Sequence, residues 1–255
     1  MNKFDSDHNI LEVVSWTRFQ PSALAIPDDI FSKMQDTMVF KLDQMLENSD
    51  VAFEIITSSC TEQGNTAAMM LTAGFEPQTE PYLRGMLASI KAAQLGDLRN
   101  KARIFVPEGR WLMGYLDELG VLEQGQCFIQ VSTPSLENCF AKHGPAFCKT
   151  MKNLKVIQGN VFDRKNPCLH PGDIRILEAV DAPGLHHLVD CLVFPQKGDR
   201  PHTNEASGSD LDGDLYFETW GINLIPPDKK SFTPMDYSPA EAKKLPRAVT
   251  SEVTI

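Results

Sequence analysis

None of the six cysteines (Cys60, Cys127, Cys139, Cys148, Cys168 and Cys191) forms a Cys-x-x-Cys pair. That spacing argues against a zinc site and leaves scattered reduced thiols of an intracellular protein as the expectation. No apolar run approaches the roughly 20 residues of a membrane-spanning helix, and residues 1–14 are polar and acidic rather than signal-like. Positive charge is scarce: 24 Lys and Arg stand against 34 Asp and Glu, a net charge of −10. That balance is wrong for a protein that binds nucleic acid over its whole surface. It leaves room for one local basic stretch between residues 84 and 110, where Arg84, Lys91, Arg99, Lys101, Arg103 and Arg110 meet few acids. Charge alone reads that stretch equally well as a channel or as a solvated helix face. No repeat and no low-complexity tract is visible. At 255 residues and 42% hydrophobic content, the chain can build the core of one large domain or two small ones.

The most informative feature present is Asp210-Leu211-Asp212-Gly213-Asp214. Carboxylates at i, i+2 and i+4 of an extended or tightly turned segment can face one side, and Gly213 lets the chain bend between them. Three such charges repel one another unless a cation sits among them. A hard divalent ion fits oxygen ligands and keeps positions open for phosphates, so the cluster suggests metal-assisted phosphoryl chemistry. Two other readings compete. A calcium loop of the EF-hand type needs Gly at its sixth position and Glu at its twelfth; Leu215 and Gly221 stand there. A solvated acidic turn is the commoner fate of a short acidic run, but the β-prone Leu215-Tyr216-Phe217 and then Trp220 follow directly, which fits a loop joined to a buried strand.

The first hundred residues read as mostly helical. Asp28 or Asp29 can cap a helix carrying Ile30, Phe31, Met34, Met38, Leu42, Met45 and Leu46. A second stretch over 67–72 stops at Gly74, and a third runs from about Tyr82 to Lys101 with Leu83, Leu87, Ile90 and Leu98 on one face. After Ala102 six short β-prone segments recur, at 103–106, 127–131, 154–158, 174–180, 188–194 and 215–219, separated by Pro- and Gly-bearing turns. They suggest a compact barrel with the aspartates in a loop entering one strand. From Pro226 onward the chain reads as an extension over the surface.

Several ordered motifs in this β-rich half resemble the eukaryotic cell-encoded RNA-dependent RNA polymerases of RNA silencing, and the plant branch in particular. They are Asn166-Pro167-Cys168-Leu169-His170-Pro171-Gly172-Asp173-Ile174-Arg175, Val193-Phe194-Pro195-Gln196-Lys197-Gly198 and Ser207-Gly208-Ser209 before the aspartates. Upstream, Arg103-Ile104-Phe105-Val106-Pro107, Leu112-Met113-Gly114 and Leu116-Asp117-Glu118 match as well, and the resemblance covers most of 80–227. It implies an α+β fold, a helical N-terminal part followed by a β-rich double-psi β-barrel-like catalytic domain. It divides the chain into 1–101, a mostly helical neck between the family's two barrels, 102–227, the second barrel with the metal loop, and 228–255, a surface extension.

Carried over residue by residue, the resemblance makes Asp210, Asp212 and Asp214 the catalytic ligands of Mg²⁺. Pro167-Cys168-Leu169-His170 resembles a large-subunit polymerase motif in which an Arg two residues before the Pro reaches the nucleotide ribose; Lys165 occupies that place here. His202 and Asn204, with Glu205, precede the metal loop and shape it or touch nucleotide, while Lys197 and Arg200 are candidates for phosphate. His170 reads better as a histidine holding the proline-rich turn, and His186-His187 has no partner at ligand spacing. The implied substrates are an RNA template and ribonucleoside triphosphates, the implied product is double-stranded RNA, and the implied site is the nucleus or cytoplasm. The residues opposite the aspartates, which the family's first barrel supplies, have no counterpart here. The chain therefore reads as a polymerase fragment, with a protein partner completing the active site. Two alternatives stay open: a non-catalytic relic that binds metal, RNA or a partner, and another Mg²⁺-dependent phosphotransfer enzyme such as a nuclease, for which His202 is the one obvious base.

The segment Gly159-Asn160-Val161-Phe162-Asp163-Arg164 departs from the clean apolar strand of the family. Burial of Asp163 and Arg164 there is costly unless they are paired.

Overall fold

The computed structural model describes residues 10–12, 26–59, 65–133, 153–165, 168 and 170–238. Asn166, Pro167 and Leu169 of the proline-rich motif, Cys60, Cys139, Cys148, residues 13–25 and the end of the extension from 239 lie outside the described residues.

The helical part holds α1 (Asp28–Gln44), α2 (Ser49–Ser59), α3 (Asn65–Thr72) and α4 (Pro81–Lys101). Pro27, not Asp28 or Asp29, is the N-cap of α1; both aspartates sit in its first turn, where they complement the positive end of the helix. In α4 the Glu80 side chain accepts from the Tyr82 N–H, Pro81 opens the helix and left-handed Ala102 closes it. Leu83, Leu87 and Ile90 of α4 meet Met38 and Leu42 of α1, Met45 at its C-cap, and Ile55 and Ile56 of α2, in one apolar core. Each side chain of this size contributes about 1.5–3 kcal/mol by burial. Helix α2 was not foreseen from the sequence: Val51, Ile55, Ile56 and Thr57 are β-branched and weaken its helical signature.

Among the described residues nine strands occur: β1 (Ile10–Glu12), β2 (Arg103–Phe105), β3 (Gly109–Leu116), β4 (Gln126–Thr133), β5 (Asn153–Val156), β6 (Gly159–Lys165), β7 (Ile174–Ala179), β8 (Cys191–Phe194) and β9 (Leu215–Thr219). Six of them close into a ring in the order β3-β8-β4-β7-β6-β9 and back to β3. The pairs β3–β8 and β4–β7 are parallel and the other four antiparallel. The α+β class and the double-psi-like barrel are as expected, but the wall differs from the sequence reading. Segments 103–105 and 153–156 pair outside the ring, with β1 and as an appendage on β4. Their places are taken by β3, whose glycines dilute its β signal, and by the charge-bearing β6.

Alternation along the strands fills the barrel interior with Leu112, Cys127, Ile129, Val161, Leu177, Leu192, Phe194 and Tyr216. A second apolar layer, with Phe162, Ile174, Phe217 and Trp111, covers one outer side and receives Ile30, Phe31 and Met34 from the start of α1. One helix thus presents its first turns to the barrel and its later turns to the helical core.

Candidate metal centre

Strand β9 carries the site. Tyr216 and Glu218 point into the barrel, and the five residues before Leu215 form the acidic loop at its mouth. Asp210, Asp212 and Asp214 each bring a carboxylate oxygen to within 4.8 Å of the others. Gly213, at φ 126°, makes the bend that returns Asp214 to the strand. The loop is tied at both ends: the Gly114 N–H of β3 donates to the Asp214 carbonyl at 3.2 Å, and Tyr216 hydroxyl donates to the Asp210 carbonyl at 3.1 Å. Ser209 Oγ lies 2.8 Å from that hydroxyl and donates to the Thr203 carbonyl at 2.5 Å. Gly114 is required by proximity, because a Cβ there would sit 2.6 Å from the Tyr216 ring and 2.8 Å from Leu211 Cδ2.

Lys165, at the end of β6, stands opposite Tyr216 across the β6–β9 pair, and its ammonium forms an ion pair with Asp214 Oδ2. The Asp210 carboxylate, by hydrogen bond and then by charge, raises the Asp212 pKa above the ordinary aspartate value. These donors suit a hard cation. All are carboxylate oxygens, close enough together that one hard divalent ion could be held among them. Three carboxylates and one ammonium also leave two formal negative charges, which one divalent ion balances.

The other anticipated residues have definite partners. Lys197 Nζ is 2.5 Å from Glu123 Oε1. Arg200 donates through Nε to Asn204 Oδ1 at 2.8 Å and through Nη2 to the Met235 carbonyl at 2.6 Å. His202, in the short helix α5 (His202–Glu205), is 5% exposed. Its Nε2 accepts from the Gly125 N–H at 2.8 Å, which places its proton on Nδ1, 2.6 Å from Glu205 Oε2. His170 holds the turn, accepting from the Gly172 N–H at 2.9 Å. His186 Nε2 is 2.6 Å from Asp181. In the basic stretch, Lys91 pairs with Asp43 at 2.6 Å, Lys101 and Arg103 pair with Asp97 at 3.0 and 3.2 Å, and Arg84 donates to the Leu46 carbonyl.

A second group of charges gathers around Asp163, whose burial the sequence marked as costly but whose partners it did not reveal. Asp163 of β6 lies in register with Glu218 of β9 and Arg175 of β7, so all three enter the barrel together. Asp163 and Glu218 are fully buried. Burial pushes Asp163 up to about 6, against the pull of its neighbours Glu218, His202 and Arg175. Burial, and then the Asp163 charge, holds Glu218 well above the usual range. Among the described residues neither carboxylate has a hydrogen-bond partner, and burial favours their protonated forms. Arg175 Nε lies 3.2 Å from Glu205 Oε2. Burial works against the Glu205 charge, but His202 and Arg175 outweigh it and keep its pKa low. The available signal was the parity of Glu218 with inward Tyr216; the partners come from distant strands that only the barrel register brings together.

The sequence profile of a family described as RNA dependent RNA polymerase matches residues 1–255. The chain is 66% identical over 98% of its length to "Probable RNA-dependent RNA polymerase SHL2" of Oryza sativa subsp. japonica, covering 21% of that protein. It is 63% identical over 99% of its length to "RNA-dependent RNA polymerase 6" of Arabidopsis thaliana, covering 22% of it. The chain therefore spans about a fifth of the length of these relatives. Among solved structures, "RNA dependent RNA polymerase QDE-1 from Thielavia terrestris" matches 90% of the chain and 26% of its own length, with a TM-score of 0.55 at 21% identity. That likeness establishes a shared fold.

Proposed function

The chain belongs to the RNA-dependent RNA polymerase family, and from that premise we propose that its barrel is the metal-holding side of an RNA-directed RNA polymerase active site. The observation that carries this reading is the carboxylate cluster at the mouth of a closed barrel, with Lys165 delivered to it from the adjacent strand. The proposed reaction is Mg²⁺-dependent nucleotidyl transfer that copies single-stranded RNA into double-stranded RNA in gene silencing, in the nucleus or cytoplasm. Residues 102–227 form the catalytic barrel, 1–101 the neck and 228–255 the surface extension. A protein partner supplies the cationic groups opposite the aspartates.

When bound, Mg²⁺ supplies Lewis acidity toward a 3′-hydroxyl and charge neutralisation at the triphosphate. Asp210, Asp212 and Asp214 would hold it. Before loading, the Lys165 ammonium shields Asp214; afterwards it is free to donate to an incoming phosphate or ribose, as a point charge rather than a fork. Lys197, exposed beside Glu123, is the proposed outer phosphate contact. Arg200, Asn204 and His202 act from the flank of the loop, which they hold to the barrel. Because both ring nitrogens of His202 are engaged, the histidine is poorly placed as the base of a nuclease.

The test is incorporation of labelled ribonucleotides on a single-stranded RNA template with Mg²⁺, with Asp212→Ala as control. Incorporation by the wild-type chain that disappears in the variant supports the reading. A folded, metal-binding chain that incorporates nothing would reduce it to a metal-binding part of a larger machine.

A further inference from the structure

Residues 228–238 run from the end of the barrel opposite the acidic loop, beside Asn160 and Trp220, across β7 to that loop, and are tied down at Ser231, Phe232, Met235 and Tyr237. Ile176 N–H donates to Ser231 Oγ at 2.8 Å, and Arg175 Nη1 donates to the Phe232 carbonyl at 2.8 Å. Gly172 leaves no room between strands of chain: a Cβ there would lie 2.2 Å from the Thr233 carbonyl oxygen. Arg200 then clasps the Met235 carbonyl while holding Asn204, whose own carbonyl accepts from the Gly208 N–H at 3.1 Å. Tyr237 finishes the run. Its hydroxyl donates to Asp173 Oδ1, and its side chain packs against Gly208, where a Cβ would meet Tyr237 Cβ at 2.7 Å and Cγ at 2.8 Å.

Gly208 is two residues before Asp210. Ser207 and Gly208 are both left-handed, at φ 58° and 62°, and a non-glycine residue in that region costs about 1 kcal/mol or more unless its surroundings hold it. The inner side of this turn is held by the bonds of Ser209 to Thr203 and Tyr216. The outer side is held by Tyr237.

We propose that Tyr237 is a positioning residue for the metal loop, through which the 228–238 strap fixes the backbone that carries Asp210. This rests on the metal reading for its purpose but not for its geometry. Arg200 is the hub of the arrangement, joining strap, α5 and loop, and so acts on the site without touching the aspartates.

The experiment compares wild type, Tyr237→Ala, Tyr237→Phe and Ser231→Ala in the full 255-residue chain, by amide exchange and by Mn²⁺ titration. In Tyr237→Ala the amides of 207–214 are expected to exchange about tenfold faster while β4 and β6 keep their protection, and Mn²⁺ binding weakens by about three- to tenfold, the lower part of the range for residues supporting metal ligands. Tyr237→Phe keeps the ring on Gly208 and restores most of both. Ser231→Ala loosens the far end of the strap and leaves the loop amides unchanged. Unchanged loop exchange in Tyr237→Ala, or a rise shared equally by β4 and β6, overturns the proposal. Absence of Mn²⁺ binding by the wild type would remove the metal reading, whereas the exchange data would still decide the strap.

Discussion

Two carboxylate groups on the same strand system live under opposite conditions. Asp210, Asp212 and Asp214 stand at the barrel mouth, with Asp210 and Asp212 exposed and Lys165 beside Asp214. Asp163 and Glu218 lie inside the wall, fully buried. Water and a lysine surround the first group and leave it able to exchange partners; the dry interior gives the second no such option and raises the pKa of both its carboxylates. The same functional group is therefore a candidate ligand in one place and a buried strut in the other, with only Leu215, Tyr216 and Phe217 of β9 between Asp214 and Glu218.

The sharpest way to break this contrast is to neutralise each group in turn. Asp214→Asn is expected to weaken divalent-ion binding by more than about a hundredfold, beyond the effect of losing a supporting residue, without lowering the thermal midpoint; titration and calorimetry on one sample check both. Asp163→Asn should leave metal binding alone and flatten the pH dependence of stability. The folded-state pKa of Asp163 is raised to about 6, so the native state binds more protons than the unfolded chain between the ordinary aspartate value and 6. The pair's contribution is fully present below that window and is lost as pH rises through 6. The change amounts to roughly a few kcal/mol, and urea midpoints at pH 5 and pH 8 should converge in the variant. Wild-type midpoints that do not fall across this window would show the pair to be ionised.

Only part of this was legible in the sequence. The clustering of the aspartates was, because their spacing is local. Lys165 was legible only through a resembling motif, since nothing in one strand reveals which neighbouring strand it will face. Asp163 and Arg164 made β6 look unlike a strand, although the inward place of Asp163 depends on Arg175 and Glu218 from β7 and β9. In β3, Gly109 and Gly114 lowered the strand signal for a reason that appears only in three dimensions: Phe217 and Tyr216 occupy the space their side chains would need.

Gly114 allows a finer test of that coupling. Gly114→Ala should push Tyr216 and Leu211 aside, at a cost of about 1–3 kcal/mol for overpacking, and loosen the metal loop in the same stroke; calorimetry with Mn²⁺ titration separates the two effects. The smallest effect belongs to Lys165→Met. Removal of the resident cation should strengthen metal binding severalfold when nucleotide is absent, because the ion no longer competes for Asp214. An unchanged affinity would mean that Lys165 and the metal do not share that oxygen.

The ring of strands also sets an order of events in time. Strand β9 is the piece that joins β3 to β6, so until it arrives both neighbours present bare edges and the wall stays open. Pairing of Gly109 with Thr219 closes a very long stretch of chain, the kind of step that makes folding slow. A growing polypeptide emerges in sequence, and the segment between β8 and β9 contains the acidic loop. The loop is therefore completed by the same stroke that seals the barrel, and a half-made chain has neither.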